Sequence, residues 1–122
     1  MPKRILLVGH CGPDSSYLRM AVRSASAEAI VSLANDDTQL SRAIATGVDL
    51  LLVNRSLDGH FADGGGVELI KSLRAGDANL KMMLVSNLPD AQAAARAAGA
   101  LPGFGKNDLG RPAAVAAIKG AL

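Results

Sequence analysis

Leu50-Leu51-Leu52-Val53, preceded by Asp49 and closed by Asn54, is the most apolar run in the chain and decides its fold. Four consecutive aliphatic side chains leave no polar face to turn toward water. A half-exposed strand alternates apolar and polar residues, so this run reads as a strand covered on both sides. Ile5-Leu6-Leu7-Val8, closed by Gly9, is a second run of this kind, and Met82-Met83-Leu84-Val85 is a third. Ala29-Ile30-Val31 reads as a shorter, weaker strand. A last strand, around Leu101–Phe104, contains Pro102, which suits a sheet edge where a missing N–H costs no ladder bond.

Amphipathic stretches fill the gaps between these runs. Pro13-Asp14-Ser15 opens a helix with Leu18, Ala21, Val22 and Ala25 on one face. Asp36-Asp37-Thr38 opens a second, with Leu40, Ala43 and Ile44 aligned and Gly47 as its stop. Beyond a long glycine-rich loop, Val67, Leu69, Ile70 and Leu73 make a third helix that ends near Gly76. Pro89-Asp90 opens a fourth, running to Ala98 and built almost wholly of alanine. The fifth starts near Pro112, with Val115, Ile118 and Leu122 assigned to its inner face. Five strand–helix units in alternation predict a parallel sheet covered on both faces, a doubly wound (βα)5 α/β domain with flavodoxin-like strand order 2-1-3-4-5. Residues 1–122 make one such domain, a length that can bury a full core unaided.

Composition narrows the function. Thirteen Lys+Arg against eleven Asp+Glu is too even a balance for a nucleic-acid surface, and two Phe, one Tyr and no Trp supply no base-stacking platform. A single cysteine rules out an internal disulfide and suits a reducing compartment. No apolar run approaches the ~20 residues that span a bilayer, and Gly9-His10 interrupts the first run too early for a signal peptide. The expectation is a cytoplasmic domain with no nucleic-acid or membrane partner.

Ligands of such sheets sit beyond the C-terminal strand ends, so Gly9–Asp14, Asn54–Asp63, Ser86-Asn87 and Phe104–Asp108 are the segments to interrogate. At these places the chain resembles the receiver domain of bacterial response regulators, over essentially its whole length. Val48 to Val53 followed by Asn54 is similar to that family's third strand, and Gly66-Val67-Glu68-Leu69-Ile70 to the start of its third helix. Val85-Ser86-Asn87 resembles the fourth-strand end, and Gly99-Ala100 with Lys106 the segment that delivers the family's lysine. The resemblance implies a module of two-component signal transduction. It also implies which residues stand in the phosphorylation pocket: Gly9 and His10 in place of the acidic pair, Asn54 in place of the phosphoacceptor aspartate, then Ser56, Ser86 and Lys106. Gly103 takes the place of the aromatic switch residue and Asn107 that of the following proline. The loop after the third strand is about four residues longer than the family norm.

Mg²⁺ binds through carboxylates, carbonyls and water, and Gly9, His10 and Asn54 bring no carboxylate to the inferred metal position. An amide is no phosphoryl acceptor either, and phosphotransfer needs both nucleophile and metal. The expectation is a pseudo-receiver: not an enzyme, without cofactor or Mg²⁺, working through a protein partner or as a homodimer. A rival reading makes the former pocket charge-inverted, with Arg55, Ser86 and Lys106 as ligands for a small anion or a nucleotide phosphate. Against it, Lys106 has Asp14, Asp58, Asp63 and Asp108 available as ion-pair partners. His10-Cys11 invites a nucleophile reading, but neighbours on an extended backbone point apart and form no Cys–His pair. The glycine-rich loop is either a lid over the pocket or a plain connection. The alanine helix offers Ala91, Ala94, Ala95 and Ala98 as an interaction face of small side chains.

Overall fold

The computed structural model describes residues 2–122. Chain order is β1 (Arg4–Val8), α1 (Gly12–Ala25), β2 (Ile30–Ala34), α2 (Asp37–Thr46), β3 (Leu50–Asn54), α3 (Gly66–Gly76), β4 (Met82–Val85), α4 (Pro89–Ala97), β5 (Leu101–Phe104) and α5 (Pro112–Ala121). The five strands form one parallel sheet in the order β2-β1-β3-β4-β5. This is the predicted topology, with Pro102 on the edge strand β5.

Every residue of the central strand β3 is buried, which explains its uniform apolarity. The two-residue period of the strands then sorts the core into two layers. Ile5, Leu7, Leu50 and Leu52 pack with Leu18 and Val22 of α1 and Ile118 of α5. Leu6, Val8, Leu51 and Val53 pack on the other face with Leu40, Leu69, Ile70 and Ala95 from α2, α3 and α4. The Asp36 side chain accepts from Gln39 N at 2.7 Å and so caps α2, as its sequence position implies.

Three expectations need correction. Strand β2 runs on to Ala34, beyond the Ala29-Ile30-Val31 core read from the sequence. On α5 the inner residues are Ala114, Ile118 and Ala121, while Val115 is rotated toward α1 and Leu122 is only partly buried. The alanine helix is turned differently too. Ala95 is fully buried and Ala91 and Ala98 pack partly against the core, so of the four residues assigned to an interaction face only Ala94 is exposed. The outward face is instead Ala93, Ala94, Arg96 and Ala97. With alanine at nearly every position, hydrophobic periodicity carries no phase information, and side-chain size cannot tell in from out.

This orientation makes opposite forecasts for adjacent residues. Ala94→Glu adds an exposed charge and should change stability by less than ~0.5 kcal/mol. Ala95→Glu buries an unpaired carboxylate and should cost ~3–5 kcal/mol or prevent folding. Urea unfolding of the two variants reads the difference directly; equal losses would mean the helix is rotated from this orientation.

Candidate functional site

The C-terminal ends of β1, β3, β4 and β5 converge on one rim of the sheet. Gly9 leaves β1 with φ +70°, a conformation that suits glycine, and a Cβ there would come within 2.8 Å of Leu57 Cδ2. Leu57 therefore lies directly over the end of β1, packed against the Val8–Ala34 side of the core. The Gly9 carbonyl accepts twice, from Asn54 Nδ2 and from Asp58 N, both at 2.9 Å. Asn54 is buried, and its Nδ2 donates to this carbonyl.

The glycine-rich loop is thus no open lid. Besides Asp58 N to Gly9 O, it is held by His60 N to Asn35 O at 2.8 Å and by a parallel bridge between Asp36 and His60. Ala62 N donates to Asp37 Oδ2 at 2.8 Å, and Gly66 N to Arg55 O at 2.8 Å. This part of the loop forms a strap laid across the ends of β1 and β2.

His10 turns inward and is 5% exposed. Its Nε2 lies 2.8 Å from Leu52 O, and since a carbonyl only accepts, Nε2 carries the proton. Nδ1 is then a bare acceptor, buried and without a partner among the described residues. Burial holds the His10 pKa below its ordinary value, and the Lys106 ammonium pushes the same way; the Leu52 bond and Asp14 oppose them. His10 is a neutral wedge beneath the rim and does not line the cleft.

The cleft itself, about 230 Å³, is lined by Asn54, Arg55, Ser56, Val85, Ser86, Asn87, Leu88 and Lys106. Four of the six pocket places inferred from sequence, Asn54, Ser56, Ser86 and Lys106, therefore line it together with Arg55, while Gly9 and His10 are not among its lining residues. Ser86 is buried and its Oγ accepts from Leu88 N at 3.1 Å. Lys106 Nζ stands 3.0 Å from Asp14 Oδ2, one of the four carboxylates the sequence made available. This is the ion pairing that weighed against the anion reading, and the carboxylate arrives from the first turn of α1. The Lys106 bond holds the Asp14 pKa below the usual carboxylate range, with a contact from Cys11 adding and partial burial opposing. Among the described residues no three of His, Cys, Asp and Glu come together as metal ligands.

One structural feature of the rim was not read from the sequence. Gln92, with Arg96 one of two large side chains on the alanine helix, places Nε2 at 2.9 Å from Leu84 O, 3.0 Å from Ser86 O and 3.2 Å from Phe104 O. These carbonyls flank a register shift between β4 and β5, where Met83 pairs Leu101 but Val85 pairs Phe104. Gly103 makes the room: any Cβ there would collide with Leu84 O and crowd the Gln92 amide. The signal was a lone glutamine among alanines, facing a glycine where an aromatic was implied.

No protein-family model matches the sequence, and neither does any curated protein. Solved structures do match the fold. The non-phosphorylated receiver domain of the stress response regulator RcsB from Escherichia coli gives a TM-score of 0.75 at 16% identity, over 98% of this chain and 95% of that one. An orphan response regulator of H. pylori gives 0.72 at 13% identity, over 98% and 96%. The signal receiver domain of a DNA binding response regulator from Colwellia psychrerythraea 34H gives 0.67 at 15% identity, over 86% of each chain. What is shared at these identities is the receiver fold, five parallel strands in the order 2-1-3-4-5.

The buried His10 makes stability depend on pH. Its folded pKa is lowered, so the unfolded chain takes up the proton first, near pH 6.5. Its contribution is complete above that pH and is lost as pH falls through the lowered value. The depressed Asp14 pKa acts in the same direction at more acid pH. Thermal unfolding between pH 7.5 and pH 5 should show a falling midpoint, and His10→Leu should flatten the slope; an unchanged slope would mean that His10 titrates normally.

Proposed function

We propose that this domain is a phosphorylation-independent, receiver-like signalling module that acts through protein contact, and not an enzyme. The single observation that carries this is the closure at Gly9. Its carbonyl is occupied by Asn54 and Asp58, and Leu57 lies over it. The rim does not fit a magnesium ion: one candidate carbonyl already has two donors, Asn54 presents N–H rather than oxygen to it, and the nearby Asp14 carboxylate is engaged by Lys106. The cleft-lining set of amides, two hydroxyls, Arg55 and Lys106 supplies no paired nucleophile and base, and His10 is turned away to Leu52. Protein contact is left as the mode of action, and the exposed Ala93, Ala94 and Ala97 face of α4 suits it. The anion-sensor reading is weakened because Lys106 is half neutralised by Asp14 before any anion arrives.

Beryllofluoride with Mg²⁺ should leave the amide NMR spectrum unchanged at residues 54–56, 86 and 106. Specific shifts there would overturn the reading. Asn54→Asp should not restore phosphorylation. It replaces a donor with a carboxylate facing the Gly9 carbonyl, and should cost ~1–3 kcal/mol of stability.

A parallel measurement addresses the rival. Sulfate should raise the melting temperature of wild type and Lys106→Ala equally, as a general salt effect; protection of wild type alone would revive the anion site.

A further inference from the structure

Strand β2 is an open edge of the sheet. Between Ile30 and Ala34 it carries no charge and no proline, and Ile30 and Leu33 stand 45% and 41% exposed. Such an edge invites pairing with another strand unless something blunts it. The strap that crosses the rim engages this edge at Asn35 and Asp36, beyond Val31 and Leu33.

The backbone polarity of this edge is determined. Ile30 N donates to Lys3 O at 2.8 Å and Ala34 O accepts from Gly9 N at 3.0 Å, so residues 30, 32 and 34 point their amides toward β1. By alternation, Val31 and Leu33 point theirs outward. The residues on either side of this pair are already engaged. Ala29 N donates to Ser26 O at 3.1 Å. Asn35 N donates to Gln39 Oε1 at 2.8 Å, and Asn35 O accepts from His60 N at 2.8 Å. Among the described residues of this edge the free outward amides thus belong to Val31 and Leu33, and these two are equidistant from Ser32.

We propose that the β2 edge is the docking surface for a second copy of this chain, paired antiparallel about a two-fold axis through Ser32. In that register Val31 faces the partner's Leu33, and Leu33 the partner's Val31. Both are residues with outward amides, so each pair exchanges two hydrogen bonds and all four free N–H groups are satisfied. A one-residue slip would set outward amides against inward ones. On the α1 face, the two Val31 and the two Leu33 side chains then lie together as a small apolar cluster. On the α2 face the charges are complementary. Arg4 and Arg42 line a groove with Ile30 and Ser32, and Asp36 and Asp37 stand at the opposite end of the strand. The two-fold brings each basic end to the partner's acidic end. Glu28 falls opposite the partner's Asp36, but it is exposed and outside the bonded set, where screening limits the repulsion.

Sedimentation of the full chain over a concentration series should show a monomer–dimer equilibrium, with the apparent mass doubling. Leu33→Pro removes an outward N–H and leaves the β1 ladder intact, so it should sediment as a monomer with an unchanged circular dichroism spectrum. Leu33→Lys should do the same without touching the backbone. Ser32→Cys in a Cys11→Ser background places two thiols across the axis, at the ~4.5–5.5 Å Cα spacing that admits a disulfide. It should oxidise to a covalent dimer, while Ser24→Cys in the same background should not. A wild type monomeric throughout, Leu33 variants that dimerise as wild type does, or a Ser32→Cys chain that fails to cross-link would each overturn the proposal.

Discussion

The carbonyl oxygen of Gly9 is the point on which the functional end of this molecule depends. It lies where the first strand ends, and the left-handed turn at that residue aims it across the rim. Two donors from one strand–loop segment converge on it, Asn54 from the last residue of β3 and Asp58 from the strap. Each bond is modest by itself, but a buried carbonyl left unpaired would cost more than either bond gains. The rim therefore closes as a unit: with Asn54 and Asp58 in place, Leu57 is carried over Gly9. His60 is then carried to Asn35, and the strap extends the sheet edge by one bridge. An aspartate in place of Asn54 could not donate to that carbonyl, which would keep only the Asp58 bond.

Most of the fold was legible because its strands are chemically extreme. Leu50 to Val53, Ile5 to Val8 and Met82 to Val85 are buried on both faces, and a run with no polar residue has few other solutions. Helices α1 to α3 were legible because their apolar residues differ in size from their polar ones. The starts of α4 and α5 at Pro89 and Pro112 were legible, but the facing of α4 was not, since Ala91, Ala95 and Ala98 look the same from outside and inside. There the phase is set by tertiary contact: Gln92 must reach three carbonyls at the β4–β5 bulge, and that single requirement rotates Ala95 into the core.

The site was legible by residue and only partly by geometry. Asn54, Ser86 and Lys106 come together as the resemblance implied, because strand ends in a parallel sheet must share one rim. Asp14 was available to Lys106 by sequence, yet nothing in the spacing chose it over Asp58, Asp63 or Asp108. Asp108 is in fact occupied as an acceptor for Gly105 N at 2.8 Å. The inward turn of His10 was not legible at all. Its position beside the rim suggested a ligand, and only the distance to Leu52 O shows that the ring serves the interior.

Gln92 and Gly103 give the rim its rigidity on the side away from Gly9. A receiver that switches needs a side chain able to move between α4 and β5, and an aromatic at the place of Gly103 is what the resemblance leads one to expect. Gly103 carries no side chain here, and the amide of Gln92 lies against it with hydrogen bonds to both strands. Those contacts tie α4 to β4 and β5 at once, so a shift of α4 would give up the Gln92 bonds to both strands together. The two ends of the rim are thus closed by the same kind of interaction, a side-chain amide donating into backbone carbonyls at a glycine. Asn54 does this at Gly9 and Gln92 at Gly103, each with a neutral group in place of a charged or moving one. Both ends of the rim are held by side-chain amides that tie separate elements together, so a displacement of α4 or of the strap would have to break these bonds.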